Sequence, residues 1–272
     1  VTDLCLQKVP GWNKLKEQDI EIKELTEGLS NTLFKCSVKS SEAETHQGIS
    51  DTTVLFRIAG AASAKFYDPQ EELKVFKCLS NYKIGPHLIA NGDGWRIEEW
   101  HDAVAVLVKD LGNPSIFCQV ASHLGRFHKL SKREDFPSDL SKENVVLSRL
   151  ISWAHAAMNM SFDDPNMKKQ LQSLGVESFV NEALQMVKQL QEKNIDCCGF
   201  DEVFCHNDCQ ENNLLQTQYG LRLIDFEYSG FNYAAYDIAN FFNEWTMDYF
   251  YPRPPFFFVN LNDYPNVNVQ RM

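Results

Sequence analysis

Val203-Phe204-Cys205-His206-Asn207-Asp208-Cys209-Gln210-Glu211-Asn212-Asn213-Leu214-Leu215, followed by Leu221-Arg222-Leu223-Ile224-Asp225-Phe226-Glu227, is the stretch on which the reading of this chain turns. It contains His-x-Asp, an Asn five residues beyond that Asp, and Asp-Phe-Glu at the end of a short apolar strand. Phosphoryl transfer asks little covalent chemistry of a protein. It needs a group that orients and deprotonates the attacking hydroxyl, and metal held against the phosphate oxygens. Asp208, at the start of a loop, can accept such a proton, while Asn213 and Asp225 offer hard oxygen ligands suited to Mg²⁺. His206 is expected to hold the loop by hydrogen bonds. A single Asp or Asn in a loop usually does no more than close a side-chain turn. The joint spacing is what points to catalysis.

Working outward, the upstream third reads as strands with one helix. Ile20–Leu25 and Leu33–Val38 flank the turn-rich Thr26-Glu27-Gly28-Leu29-Ser30-Asn31, a candidate nucleotide loop, and Thr53–Ile58 follows as a third strand. Asp68-Pro69-Gln70-Glu71 reads as an N-cap acid, a first-turn proline and a capping-box glutamate. The spacing of Leu73, Phe76 and Leu79 predicts an apolar stripe against the sheet, with Glu72 pointing elsewhere. Asn91-Gly92-Asp93-Gly94 joins two further strands. Beyond Trp100 the pattern is helical: Ile116, Val120, Leu124, Phe127 and Leu130 mark one amphipathic helix. Asn144–Met158, Val176–Lys193 and Tyr236–Tyr249 read as others. A small sheet lobe joined to a larger helical lobe near Ile97–Ala103 leaves a cleft, and clefts of this kind bind ligands.

Composition sets wide bounds. The 272 residues suffice for one large domain or two lobes, and 44% hydrophobic content is that of a globular enzyme. A formal charge of -11 repels polyanions, which argues against a nucleic-acid partner, and favours a cationic ligand. No apolar run approaches the length of a transmembrane segment, and Val1–Pro10 lacks the pattern of a signal peptide, so a cytoplasmic location and reduced thiols are expected. Cys197, Cys198, Cys205 and Cys209 with His206 lack the paired spacing of a zinc site.

The central stretch continues into Tyr228, Asn232-Tyr233, Tyr236-Asp237-Ile238-Ala239-Asn240 and Glu244-Trp245. This run resembles the signature region of the choline and ethanolamine kinase family, relatives of protein kinases and aminoglycoside phosphotransferases. The resemblance implies a two-lobed, protein-kinase-like α+β fold, with a nucleotide-binding lobe over 1–98 and a catalytic and amine-binding lobe over 99–272. It also implies ATP as co-substrate, Mg²⁺ as cofactor, and choline or ethanolamine as phosphoryl acceptor. Asp208, His206 and Gln210 then form the catalytic set, with Asn213 and Asp225 on the metal. Gly28, Ser30 and Asn31 lie in a stretch similar to the nucleotide loop. Arg57 stands where the family places a strand arginine on the ATP phosphates, a forked contact that suits a guanidinium. Glu72 stands where related kinases pair a helix glutamate with that cation, and Ile97-Glu98-Glu99-Trp100 resembles the hinge that meets adenine.

A quaternary ammonium asks for aromatic faces and a carboxylate. Tyr228, Glu244, Trp245 and Tyr249 are the candidates, and the family's positions matching Tyr228, Glu244 and Tyr249 face the substrate. Trp245 stands equally well as a core aromatic. Asn212 replaces the family's usual Gly, and Ala59, Ala61, Ala62 and Ala234 stand where larger or polar residues are expected. The family continues beyond the position of Met272 with further pocket aromatics, so the second lobe is expected to be incomplete and Tyr251–Phe258 to lead onward as a linker. Homodimers are common in the family. The Phe-Glu-Tyr and Asn-Tyr continuation, and the absence of Asp-Phe-Gly and Ala-Pro-Glu, oppose an aminoglycoside or protein kinase. Intact Asp208, Asn213 and Asp225 oppose a silent scaffold.

Overall fold

Alternating apolar and polar residues in the first hundred positions produce Ile20–Leu25 (β1), Asn31–Val38 (β2), Thr53–Ala59 (β3), Leu88–Gly92 (β4) and Trp95–Glu99 (β5). In the computed structural model, which describes residues 1–25, 31–39, 49–60, 67–192 and 200–271, they form one antiparallel sheet in the order β1-β2-β3-β5-β4. Asp93-Gly94 closes the β4–β5 hairpin, with Gly94 at φ 71°, where a side chain would be strained. The two-residue period divides the sheet. Cys36, Val54, Phe56 and Ile97 face an apolar core completed by Cys5, Val9 and Trp12 from the region of Thr2–Lys8 (α1). Arg57 and Arg96, opposite each other in register, stand on the other face with Glu98.

That second face corrects the expected seat of Pro69–Asn81 (α2). The helix starts as expected, with Asp68 accepting from Gln70 N at 2.8 Å and Pro69 in the first turn, though Glu71 pairs with Lys74 rather than closing a capping box. Its apolar residues Val75, Phe76 and Leu79 join the larger core of the second lobe, beside Leu124, Phe127 and Phe226. The reason is that the sheet offers α2 a charged face. They meet through Arg96, whose guanidinium lies 4.1 Å from the Phe76 ring centroid and pairs with Glu72. Glu72 is therefore buried.

The second lobe contains Pro114–Leu130 (α3), Val145–Met158 (α4), Pro165–Ser173 (α5), Val176–Glu192 (α6) and Ala234–Glu244 (α7). Asn113, Asn144 and Asp164 cap α3, α4 and α5 through their side chains. Ala103–Ala105 (β6), Leu214–Thr217 (β8) and Gly220–Leu223 (β9) form a small sheet; Glu202–Cys205 (β7) and Gly230–Tyr233 (β10) form a ribbon. The helix expected over Tyr236–Tyr249 runs instead over Ala234–Glu244. Thr246 Oγ1 closes its last turn on Asn243 O at 2.7 Å, and the chain leaves in Met247–Asp248 (β11). Phe258–Val259 (β12) returns to pair with β11, so Tyr251–Phe258 folds back rather than leading away. Among the described residues no helix is long and apolar enough to cross a membrane.

Candidate active site

β7 leads directly into His206, Asn207 and Asp208, and the start of that loop is held by one buried carboxylate. Asp237, on α7, accepts from His206 N at 3.0 Å, from Asn207 N at 2.7 Å and pairs with His128 Nε2 of α3 at 3.0 Å. Asn207 sits in the left-handed region, φ 68°, a conformation Asn tolerates better than most residues. Its side chain fixes it there, donating to Tyr228 O at 3.0 Å and accepting from Asn232 Nδ2 at 2.9 Å. His206 lies between the Phe127 and Phe226 rings and bonds Ile224 O at 3.0 Å, linking the loop to the segment after β9 that carries Asp225.

Asp208 Oδ2 accepts from Asn213 Nδ2 at 2.8 Å and Gln210 Nε2 at 3.2 Å. Burial pushes its carboxyl above the usual range, while nearby His206 and the hydrogen bonds from Gln210 and Asn213 oppose the shift. The residues 211–213 form a right-handed 3-10 turn, so Asn212 needs no glycine backbone. Its amide instead reaches Gln210 Oε1 at 3.4 Å and Glu211 Oε1 at 3.3 Å, turning the Gln210 NH₂ toward Asp208. Ile224 N donates to Asn213 O at 3.0 Å, which brings Asp225 beside Asn213. Asp225 is also left-handed, φ 61°. With its amide nitrogen spent on Asp208, Asn213 has its oxygen left to offer, and together with the Asp225 carboxylate it makes a hard-oxygen pair of the kind that fits Mg²⁺.

Of the residues expected at the nucleotide, Gly28 and Ser30 lie outside the described residues, as do Ala61 and Ala62. Asn31 opens β2 and, with its amide oxygen turned to Arg57, accepts from Nη2 at 2.6 Å. Arg57 also meets Asp225 Oδ1 at 3.3 Å and Glu227 Oε2 at 3.1 Å. Burial opposes its charge, but Asp225, Glu72 and Glu98 outweigh burial and hold the guanidinium above its ordinary value. Burial and the Asp225 charge push Glu227 up to about 7 against the pull of Arg57. Glu72 does not pair with Arg57: both of its oxygens lie 2.6 Å from Arg96 Nη1. The register explains the exchange, because Arg57 and Arg96 stand side by side and each takes the carboxylates nearest it. Glu98 is buried beside Arg96, with burial raising its carboxyl. Glu99 Oε2 accepts from His87 N at 3.0 Å, and half-buried Trp100 bonds Asp102 at 2.8 Å.

Among the residues expected at the amine, Tyr228 meets Tyr67 and Trp153 edge-on, at centroid distances of 6.5 and 6.4 Å. Glu244 ends α7, accepts from Asn240 Nδ2 at 3.2 Å, and is pushed up to about 7 by burial, partly offset by Tyr249. Tyr249 itself is held above its usual range by burial and by Glu244. Trp245 stands apart from these three, buried against Phe117, Phe241 and Phe242 at 5.7 to 5.9 Å. Of its two roles the packed one is what the structure displays.

Sequence reasoning assigned no role to Asp237, His128, Arg96 or Arg149. A charge inside the apolar run Val145–Ile151 was the available signal for Arg149; a buried Asp one turn into an amphipathic helix was that for Asp237. The thiols of Cys205 and Cys209 are buried and unpaired with each other. Cys205 Sγ, with His128 and Asp237, does fall in a trio whose ligand atoms lie within 4.8 Å of one another. Cys205 already bonds Asn232 O and Tyr233 O, and Asp237 two backbone N–H groups, so hydrogen bonds account for the trio. Ala59 ends β3 and Ala234 opens α7; nothing in the structure explains alanine at either.

Mouse choline kinase alpha is 29% identical over 290 residues, an alignment that takes in 96% of this chain and 61% of the mouse protein. The chain thus spans about three fifths of the length of that relative. The crystal structure of choline kinase from Cryptosporidium parvum superposes with a TM-score of 0.81 at 34% identity, covering 98% of this chain and 75% of that one. Plasmodium vivax ethanolamine kinase, at 20% identity and a TM-score of 0.75 over 98% of this chain and 69% of its own, shares the fold. The family model described as choline/ethanolamine kinase matches residues 22–272, and the chain belongs to that family.

Proposed function

We propose that this protein phosphorylates choline with ATP, producing phosphocholine and ADP. The observation that carries the reading is Asp208, half-buried and clasped by Gln210 and Asn213, close enough to Asp225, Tyr228, Glu244 and Tyr249 for the charges to be felt, with Arg57 paired to Asp225. Asp208 accepts the proton of the substrate hydroxyl; its burial moves the carboxyl toward the range in which a base is effective. His206 and Asn207 fix the loop, and Gln210 orients the carboxylate.

Arg57 and Asn31, together with Gly28 and Ser30, serve the ATP phosphates, and the segment Glu98-Glu99-Trp100 serves adenine. Glu72 acts one step removed, by fixing Arg96 beside Arg57. Asn213 and Asp225 would hold Mg²⁺, which when bound neutralises charge on the transferring phosphoryl group. Residues 1–98 form the nucleotide lobe and 99–272 the catalytic and amine lobe. Tyr228 and Glu244 supply an aromatic face and counter-charge for a quaternary ammonium, with Tyr249 beside them. The same carboxylate and hydroxyl could accept hydrogen bonds from a primary ammonium, which makes ethanolamine the second reading. We infer further a cytoplasmic enzyme at the first step of phosphatidylcholine synthesis, with homodimerisation as in its relatives.

ADP release with MgATP and choline or ethanolamine tests this directly. Choline-dependent turnover that falls about 10²- to 10⁴-fold in Asp208→Ala supports the reading. Faster turnover with ethanolamine moves the assignment within the family, and no turnover with either alcohol overturns it.

A further inference from the structure

Arg149 is a half-buried cation on α4, a helix with Leu147 and Ala154 in its buried side. Its guanidinium is committed to one target. Nη1 donates to Tyr228 O at 2.7 Å, Nη2 to Glu227 O at 3.4 Å, and the guanidinium carbon lies 5.4 Å from the centroid of the Tyr228 ring. Trp153, one turn further along α4, meets the same ring edge-on at 6.4 Å. Tyr228 O also accepts from Asn207 Nδ2, so both lone pairs of that carbonyl are taken, one by the catalytic loop and one by α4. The segment between Asp225 and Gly230 is also tied by Arg57 to the Asp225 and Glu227 carboxylates, by Asn207 Nδ2 to Gly230 O, by a turn from Ser229 N to Phe226 O at 3.0 Å, and by Ser229 Oγ to His206 O, so Arg149 is the contact through which α4 joins it.

We propose that Arg149 is a positioning residue for amine recognition, holding the Glu227 and Tyr228 carbonyls and covering one face of the Tyr228 ring, so that α4 takes part in selecting the substrate. The inference rests on the reading of Tyr228 as an amine-facing residue. A guanidinium on one face leaves the ammonium of the substrate the opposite face, since two cations on one side of a ring repel. The planar fork also matters: Lys keeps the charge but cannot donate to two carbonyls in the same geometry.

The test compares the wild-type protein with Arg149→Ala and Arg149→Lys. The KM for choline, ethanolamine and MgATP is measured, together with hydrogen exchange of the 225–230 peptide. In Arg149→Ala the amine KM should rise about tenfold, the loss expected when charged donors to a partly buried carbonyl are removed, with the MgATP KM within about twofold of wild type. Exchange should quicken in 225–230. Arg149→Lys should fall between, and added guanidinium ion should restore the amine KM of Arg149→Ala but not of Arg149→Lys.

An unchanged amine KM in Arg149→Ala, or amine and MgATP KM values rising together with a lowered melting temperature, overturns the inference. So does unaltered exchange in 225–230. If Arg149→Ala does not fold, Arg149→Lys carries the same KM comparison. A wild-type protein without amine-dependent turnover is a failure of the functional reading instead, and exchange then still decides whether Arg149 holds the segment.

Discussion

Arg57 Nη1 lies 3.3 Å from Asp225 Oδ1, so the cation proposed for the ATP phosphates and the aspartate proposed for Mg²⁺ form an ion pair with each other. Glu227 adds a second carboxylate at 3.1 Å. Removing Arg57 leaves Glu227 buried and Asp225 one-third exposed without their shared cation. Arg57→Ala should therefore lose about 3 kcal/mol of stability, the low end for breaking a buried pair because Asp225 is partly solvated. Thermal melts should show Mg²⁺ restoring part of that loss while hardly moving the wild-type protein. A variant as stable as wild type, or one indifferent to Mg²⁺, would count against the shared site.

Glu72 and Arg96 form a tight pair with both side chains 7% exposed. Glu72→Ala should destabilise by about 3–5 kcal/mol, because it leaves the Arg96 charge buried with only Glu98 near it. Combining Glu72→Ala with Arg96→Met should cost less than the two single losses added together. Urea titration of the four proteins measures that coupling. Simple additivity would mean that Glu72 is held by something other than Arg96.

On the proposed reading Glu244 should make choline utilisation pH-dependent through the protein alone, since the charge of choline does not change. With its carboxyl at about 7, Glu244 is neutral below that pH and supplies no counter-charge. The kcat/KM for choline should fall about tenfold per pH unit below 7 and level off above it. Glu244→Gln should flatten that limb between pH 6 and 8. The sign for stability is opposite. A folded-state value raised above the ordinary 4.5 stabilises the free protein at low pH and loses that contribution as pH rises through 7. Glu244→Gln should then be the more stable protein at pH 8, by up to about 3 kcal/mol.

Trp245 and Tyr249 should separate packing from recognition. Trp245→Phe removes volume from the cluster with Phe117, Phe241 and Phe242 and should cost about 1–2 kcal/mol, with the amine KM within twofold. Tyr249→Phe, at a side chain 41% exposed, should leave the melting temperature nearly unchanged and raise the amine KM several-fold. Reversed outcomes would place Trp245, not Tyr249, at the substrate.

Much of this was legible in the sequence because local chemistry and spacing decide it. The 206–213 and 224–227 runs carry their own geometry, and the Asp68-Pro69 start and the Asp93-Gly94 turn are local devices that context did not override. What escaped was set by register and long-range packing. That Arg57 and Arg96 face each other follows from strand pairing forty residues apart, so the partner of Glu72 could not be read from α2 alone. The clamp on the catalytic loop joins His128, His206 and Asp237, over a hundred residues from end to end. Arg149 shows in the sequence as a charge inside an apolar run, but its partner is a backbone oxygen, an acceptor every residue possesses, so the pattern does not say where it reaches.

The anchoring of Asp208 through Asp237 and α7 lies wholly within the helical half, whereas Arg57 and Asn31 belong to the sheet. The proposed proton acceptor and the proposed phosphate ligand are thus carried by different elements, tied to each other through Arg57, Asp225 and Glu227. The distance over which a hydroxyl must attack becomes a property of how the two halves stand toward each other. A few tenths of an ångström in that stance can change the rate without disturbing a single bond inside either half.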